Sequence, residues 1–138
     1  MNKKRISSGH ITNLASNEIF VFGSNLQGMH GGGAARMAYE RFGAVWGQGV
    51  GLYGQTYAIP TMQGGVETIK PYVDDFLIFA KQHRELDFLV TEIGCGIAGF
   101  SVAEMAPLFF MSIDEDIRNV YLPESFYDVY NKMNANRI

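Results

Sequence analysis

The chain has 138 residues, of which 47% are hydrophobic and 18% are charged, with a formal net charge of −3 and an isoelectric point near 5.5. This length and composition predict a single folded domain over residues 1–138 and exclude an intrinsically disordered chain. The acidic balance argues against nucleic acid as a partner, because release of counterions from phosphates requires a basic surface.

Neither a targeting segment nor a metal centre is expected. The basic start at residues 1–5 is followed by no apolar segment typical of signal peptides, and no apolar stretch reaches the length of a membrane span. Cys95 is the single cysteine, so no internal disulfide can form. His10, His30 and His83 lack the spacing of metal ligands on one helix face. These features predict a cytoplasmic protein with no membrane partner, no metal and no cofactor.

Apolar runs and turn signals alternate along the chain, which predicts strands and helices in turn. Pro60 stops the second predicted strand and Pro123 stops the fourth. A segment rich in glycine and aromatic residues, 43–54, predicts a long loop or an edge hairpin. The four strands are predicted at residues 18–22, 55–59, 87–93 and 119–122.

Helices are predicted between these strands, at residues 33–42, ending at Gly43, and at residues 66–82, where apolar residues recur at helical spacing. Ser101 and Glu104 have the spacing of a capping box, and Pro107 predicts a kink or a late start for the helix that follows. A terminal amphipathic helix is marked by Phe126, Val129, Tyr130 and Met133. The alternation predicts an α/β fold with a mixed, largely parallel central sheet.

Two glycine-rich loops are the most informative feature of the sequence. The first glycine loop, residues 23–35, follows an apolar run, and the second glycine loop, residues 94–100, follows another. Glycine at a strand-to-helix turn lets the backbone approach a ligand closely and turn its N–H groups toward an anion. Because ligands of such sheets bind at the carboxyl ends of the strands, the two loops together predict a clamp for a diphosphate.

The second glycine loop also matches the dinucleotide-binding pattern G-x-G-x-x-G at Gly94, Gly96 and Gly99. A Rossmann-type domain that binds NAD is therefore an alternative. Two features count against it: only 39 residues follow Gly99, and the acidic residue expected roughly 20 positions later has no clean counterpart. A similar match at Gly49, Gly51 and Gly54 precedes a predicted strand, so we attribute it to chance.

The order and spacing of these motifs resemble the macrodomain family. Asn25 followed by Gly31-Gly32-Gly33-Ala34-Ala35 is similar to the family's asparagine and glycine-rich helix start, and Ile93 to Phe100 is similar to its second ligand loop. Gly9-His10-Ile11-Thr12 lies where macrodomains carry Gly-Asp-Ile-Thr. The resemblance covers about residues 6–122 and is nearest to the branch of terminal ADP-ribose protein glycohydrolases.

The resemblance implies a three-layer α/β/α domain that binds ADP-ribose, an ADP-ribosylated molecule or a related nucleotide diphosphate. In the family, the asparagine contacts the distal ribose, both glycine loops hold the diphosphate, and the aspartate of the first motif selects adenine. His10 occupies that aspartate's position and is the candidate for the base site. The ligand-binding residues implied are Asn25, Gly31, Gly32, Gly33, Ala34, Gly94, Cys95, Gly96, Ile97, Ala98, Gly99 and Phe100.

The residues that catalyse hydrolysis in related branches are replaced in this chain. The family's lysine and aspartate correspond to Met62 and Ala98, and the aspartate of another hydrolytic branch corresponds to Ala35. None of these three side chains can transfer a proton or act as a nucleophile. Binding without turnover is therefore the leading hypothesis. The alternative is a divergent hydrolase of an ADP-ribosylated protein, nucleotide or metabolite in which His30 or Asn25 positions water.

Several of these residues also have purely structural interpretations. Cys95 is either a nucleophile or a small residue in a tight space, and His30 either orients a water or phosphate or is a solvated loop residue. Asn25 is either a ribose contact or an Asx-turn residue, and Phe100 either stacks on the ligand or belongs to the core. Three further aromatic residues either line the pocket or cover the core: Trp46, Tyr53 and Tyr57.

Overall fold

A computed structural model describes residues 5–135 of the chain. Six strands form one sheet: β1 (Ile6–Ser7), β2 (Glu18–Ser24), β3 (Gly51–Tyr53), β4 (Thr56–Pro60), β5 (Asp87–Val90) and β6 (Val120–Pro123). The α-helices are α1 (Gly33–Met37), α2 (Val66–Gln82), α3 (Val102–Met105), α4 (Met111–Asp114) and α5 (Glu124–Ala135). A π-helical turn (Ala38–Phe42) continues α1, and a 3₁₀ turn (Ala106–Phe109) follows α3.

The strand order in the sheet is β1-β6-β5-β2-β4-β3. All neighbouring strands are parallel except β3 and β4, which form an antiparallel hairpin at one edge. Strand β2 lies between β4 and β5, where Val21 pairs with Tyr57 on one side and with Val90 on the other. The predicted α/β fold with a mixed, largely parallel sheet is confirmed.

The sheet separates two apolar cores, and alternating side chains of β2 point into one or the other. Ile19 and Val21 point into the larger core, which α2, α3, the 3₁₀ turn and α5 cover. Phe20 and Phe22 point into the smaller core, where Ala38 and Phe42 of the first helical segment pack. Because successive residues of a strand face opposite sides of the sheet, both faces are buried and the domain has three α/β/α layers.

Most predicted elements are present, and helix α2 has the predicted bounds. The glycine-rich segment forms a hairpin with β3, and Ser101 and Glu104 make both hydrogen bonds of the capping box. The helix after that box changes to a 3₁₀ turn at Ala106, immediately before Pro107, which is the disturbance that this proline predicted. No helix within the described residues 5–135 combines the length and apolar character needed to cross a membrane.

Some boundaries differ from those predicted. Pro60 and Pro123 are the last residues of β4 and β6 rather than the residues after them, because a proline at a strand end interrupts few ladder hydrogen bonds. Strand β5 ends three residues early, at Val90, where the N–H of Ile93 donates to the carbonyl of Thr91 at 2.7 Å and turns the chain. Strand β1 was not predicted because its two residues carry no periodic signal.

Candidate functional site

The two glycine loops lie side by side at the carboxyl edge of the sheet. Strands β2 and β5 are parallel neighbours, so the first glycine loop and the second glycine loop leave the same edge. The approach is close at their bases, where a Cβ atom on Gly23 would lie 3.5 Å from the backbone nitrogen of Gly94. Parallel pairing therefore places both loops around one space.

Two adjoining cavities occupy this space. The first cavity, of about 630 Å³, extends from residues 6–12 to the start of α5, and the second cavity, of about 430 Å³, lies between the glycine loops. The residues that line both are Gly33, Ala34, Thr91 and Glu92. The two cavities therefore adjoin at these four residues, and together they are called the cleft.

Most of the predicted ligand-binding residues line this cleft. His10 lines the first cavity, opposite the start of α1. The predicted residues that line the second cavity are Asn25, Gly32, Gly33, Ala34, Gly94, Cys95, Gly96, Ile97 and Ala98. Gly31, Gly99 and Phe100 line neither cavity. Phe100 packs against the larger core instead, because its N–H donates to the carbonyl of Gly94 at 2.8 Å and closes the loop.

The glycines of the second glycine loop serve different purposes. Gly94 has a φ of +79°, and a Cβ there would lie 2.9 Å from the sulfur of Met105, so packing and conformation both require glycine. Gly96 has no such φ, and a Cβ there would meet no atom within 4 Å. The fold itself gives no reason for a glycine at position 96, on the wall of the second cavity.

Three successive backbone N–H groups on this wall are unpaired. Those of Gly96, Ile97 and Ala98 donate to no acceptor among the residues that the structure describes. Gly96 and Ile97 are exposed and Ala98 is half-buried, so these N–H groups are open to solvent or to a ligand, and runs of adjacent N–H groups form anion-binding sites. The wall can therefore supply several hydrogen bonds to an anionic group.

Asn25 is both a turn residue and part of the cavity wall. Its Oδ1 accepts from the N–H of Met29 at 2.8 Å, and its Nδ2 donates to the carbonyl of Met29 at 3.1 Å. These two bonds fix the orientation of the amide, and they reach four residues along the chain rather than the two of an Asx turn. The amide retains a second N–H for a ligand in the second cavity, which Asn25 lines.

The structure places His30 away from the cleft. The side chain is 1% exposed, packs on Phe22 and Trp46, and lines neither cavity. Its Nε2 donates to the carbonyls of Val45 and Gln48, at 3.0 and 3.1 Å. The interpretation of His30 as a solvated loop residue is therefore wrong. The imidazole is also not positioned to orient a water or phosphate in the cleft. Its hydrogen bonds instead connect two residues of the segment before β3.

The three other aromatic candidates also lie outside the cleft. Trp46 packs edge-on against His30 and Tyr39, and the hydroxyl of Tyr53 donates to the side chain of Gln48. Tyr57 lies in the larger core, where burial and then the charge of Asp75 raise its pKa to about 12. They cover the core and its edge, and they line neither cavity.

Acidic side chains dominate the charge of the cleft. Glu92 lines both cavities, Glu124 lines the first, and within residues 5–135 no lysine or arginine lines either. Sequence analysis missed Glu92 because the predicted strand 87–93 included it, whereas β5 ends at Val90 and leaves Glu92 two residues beyond, at the carboxyl edge. Burial, then the charges of Glu92 and Glu104, raise the pKa of the Cys95 thiol.

A raised pKa disfavours the thiolate, which is the nucleophilic form of cysteine. The raised pKa therefore favours the interpretation of Cys95 as a small residue, and the residue lies in the wall of the second cavity. The positions that correspond to hydrolytic residues in the resembled family, Met62, Ala98 and Ala35, all line the second cavity. Across the described residues, no group of three His, Cys, Asp or Glu side chains is arranged to hold a metal ion.

No protein-family model, no curated protein and no solved structure matches this chain. The topology itself separates the domain from the Rossmann alternative. The order β1-β6-β5-β2-β4-β3 differs from the 3-2-1-4-5-6 order of the dinucleotide-binding domains that carry the G-x-G-x-x-G pattern. In addition, the second glycine loop ends before the helix cap at Ser101 and does not itself begin the helix.

Proposed function

We propose that this chain binds ADP-ribose, free or attached to another molecule, or a related nucleotide diphosphate, in the cleft between its two glycine loops, as a macrodomain-like protein. The observation that carries the proposal is the run of unpaired N–H groups at Gly96, Ile97 and Ala98, three residues that line the second cavity together with residues of the first glycine loop. A diphosphate needs several donors, and in this cleft the backbone is their main source because no described lysine or arginine lines it.

The shape of the cleft supports a ligand of this class. The second cavity suits the diphosphate and distal ribose, with Asn25 near the ribose, and the first cavity suits the base, with His10 beside it. Cavities of several hundred Å³ lined by apolar groups and a few polar ones are typical of small-molecule sites. An extended ligand with a flat base at one end and a sugar at the other fits two adjoining cavities.

Binding without hydrolysis is the form of this function that the cleft supports best. Met62, Ala98 and Ala35 supply only apolar side chains to the second cavity. His30, one of the two residues considered for positioning water, is buried elsewhere, and the amide of Asn25 neither accepts nor releases a proton at neutral pH.

Calorimetry with ADP-ribose, AMP and ribose 5-phosphate tests the proposal. We expect ADP-ribose to bind most tightly, because only it spans both cavities. A ligand of the native state at 100 times its Kd stabilises the fold by about 2.7 kcal/mol, so the melting temperature must rise with ADP-ribose. Absence of both heat and a thermal shift at millimolar ADP-ribose would refute the proposal. Release of ADP-ribose from a modified protein would favour the hydrolase alternative.

A further inference from the structure

Glu92 occupies the junction of the two cavities. It lines both, together with Thr91, Gly33 and Ala34, and follows the end of β5 by two residues. Its Oε2 accepts a hydrogen bond of 2.6 Å from the hydroxyl of Ser125, a residue at the start of α5 that also lines the first cavity. The hydrogen bond from Ser125 therefore holds the carboxylate at the junction, while its Oε1 accepts no hydrogen bond from residues 5–135 and can accept one from a ligand.

The position of this carboxylate relative to a ligand follows from the ligand's own connectivity. A nucleotide diphosphate carries its base, its first ribose and its diphosphate in that order. If the base lies in the first cavity and the diphosphate in the second, the ribose between them crosses the junction. Glu92 is the charged side chain common to both cavities, so it is the one that this ribose passes.

A carboxylate in that position has two chemical consequences. Carboxylate oxygens only accept hydrogen bonds, and the 2′- and 3′-hydroxyls of a ribose are donors. A phosphate on either hydroxyl would instead bring two like charges together, and no described lysine or arginine lines the cleft to offset them. In dinucleotide sites generally, an acidic residue selects the free hydroxyl and an arginine accommodates the phosphate.

We propose that Glu92 is a specificity residue that accepts hydrogen bonds from the hydroxyls of the adenosine ribose and excludes ligands phosphorylated on that ribose. Ser125 is the positioning residue that orients it. The inference rests on the proposed function and goes beyond it, because it defines the ligand as an ADP-ribose with an unmodified adenosine ribose. The glycine loops alone do not distinguish ADP-ribose from 2′-phospho-ADP-ribose, because both ligands carry the same diphosphate.

Calorimetry with ADP-ribose and 2′-phospho-ADP-ribose on the same protein tests the inference. We expect the native chain to prefer ADP-ribose by at least about tenfold, and Glu92→Gln to reduce this ratio at least about fivefold. Glutamine keeps the size of the side chain and removes its charge. Ser125→Ala, which keeps the charge and removes its anchor, should reduce the ratio by a smaller factor.

Glu85→Gln is the matched control, because Glu85 is exposed at the opposite end of the sheet, before β5. This variant should retain the native ratio. If ADP-ribose binds and the ratio is the same in Glu92→Gln as in Glu85→Gln, the inference is wrong and the proposed function stands. If neither ligand binds the folded native chain, the proposed function fails and the inference fails with it.

Discussion

Gly32 and Ile97 face each other across the second cavity, and the Cδ1 of Ile97 lies 3.3 Å from where a Cβ on Gly32 would be. The two residues belong to different glycine loops and are 65 positions apart in the chain. Ile97 is 76% exposed although it is large and apolar, so its side chain forms part of the rim rather than of the core. A side chain added at Gly32 would therefore enter the space between the two glycine loops, which motivates the first prediction.

Gly32→Glu should abolish ADP-ribose binding and leave the fold intact. Gly32 has extended backbone angles that any residue can adopt, and only the flexible end of Ile97 stands close to the new side chain. The carboxylate would add bulk and like charge beside a bound diphosphate. Calorimetry measures the loss, and circular dichroism checks the fold. Gly31→Glu, an equal change at a residue that lines neither cavity, should weaken binding much less. Unchanged affinity of a folded Gly32→Glu protein for ADP-ribose would contradict the proposal that the two glycine loops bind the diphosphate.

Gly94→Ala and Gly96→Ala should separate stability from binding. Gly94→Ala forces an unfavourable φ and a contact with buried Met105, so we expect it to destabilise the fold by about 2–3 kcal/mol. Gly96→Ala meets no protein atom and should change stability by less than about 0.5 kcal/mol. Its methyl group should nevertheless lower ADP-ribose affinity about five- to tenfold, or about 1–1.4 kcal/mol. Urea unfolding measures the stability of each variant, and calorimetry measures its affinity for ADP-ribose. Equal stabilities of the two variants would contradict the loop geometry described above.

Base discrimination should be weak in the native protein. His10 lies at the first cavity where the resembled family has a carboxylate, and a neutral imidazole has one acceptor nitrogen while a charged one has none. We expect ADP-ribose to bind less than about tenfold more tightly than its inosine counterpart, a difference below about 1.4 kcal/mol. His10→Asp should widen this gap. Strong adenine preference that survives His10→Ala would mean that another residue reads the base.

Cys95 should react slowly with alkylating agents at pH 8 in the folded protein. Burial, Glu92 and Glu104 raise its pKa above the ordinary value of 9.0, which reduces the thiolate fraction. Glu92→Gln should lower this pKa and speed alkylation, whereas Glu85→Gln should not. Because the folded thiol holds its proton more tightly than the unfolded one, stability should fall as the pH rises above about 9 and level off above the folded pKa. Alkylation as fast as that of the urea-unfolded chain would contradict this account.

His30→Ala should destabilise the fold without a specific loss of binding. The substitution removes a fully buried ring and leaves the carbonyls of Val45 and Gln48 without their donor, at a cost of about 2–4 kcal/mol. Urea unfolding measures this cost, and His10→Ala, at an exposed residue, should cost less than about 0.5 kcal/mol. Folded His30→Ala protein should bind ADP-ribose within about threefold of native affinity, a difference of under about 0.7 kcal/mol. Normal stability with abolished binding would assign His30 a direct role in the cleft.

Local signals in the sequence were sufficient for several of the individual elements. The apolar spacing of Val66–Gln82 predicted α2 with the bounds that it has, because a helix is set by contacts within a few residues. The hydrogen bonds between Ser101 and Glu104 join residues three positions apart, so the capping box could be recognised from the sequence. The glycine loops at residues 23–35 and 94–100 were recognisable for the same reason.

Only the tertiary structure decided which of these features meet. The pairing of β2 with β5, which brings the two glycine loops together, joins residues about 70 positions apart. Strand β1 exists only because Ile6 and Ser7 pair with β6, and the burial of His30 depends on carbonyls 15 and 18 residues away. The role of Glu92 likewise depends on Ser125 and on two cavities that several elements enclose. The sequence alone determined the local conformations and the chemistry available; the pairing of distant segments, which depends on the packing of the whole chain, determined the cleft.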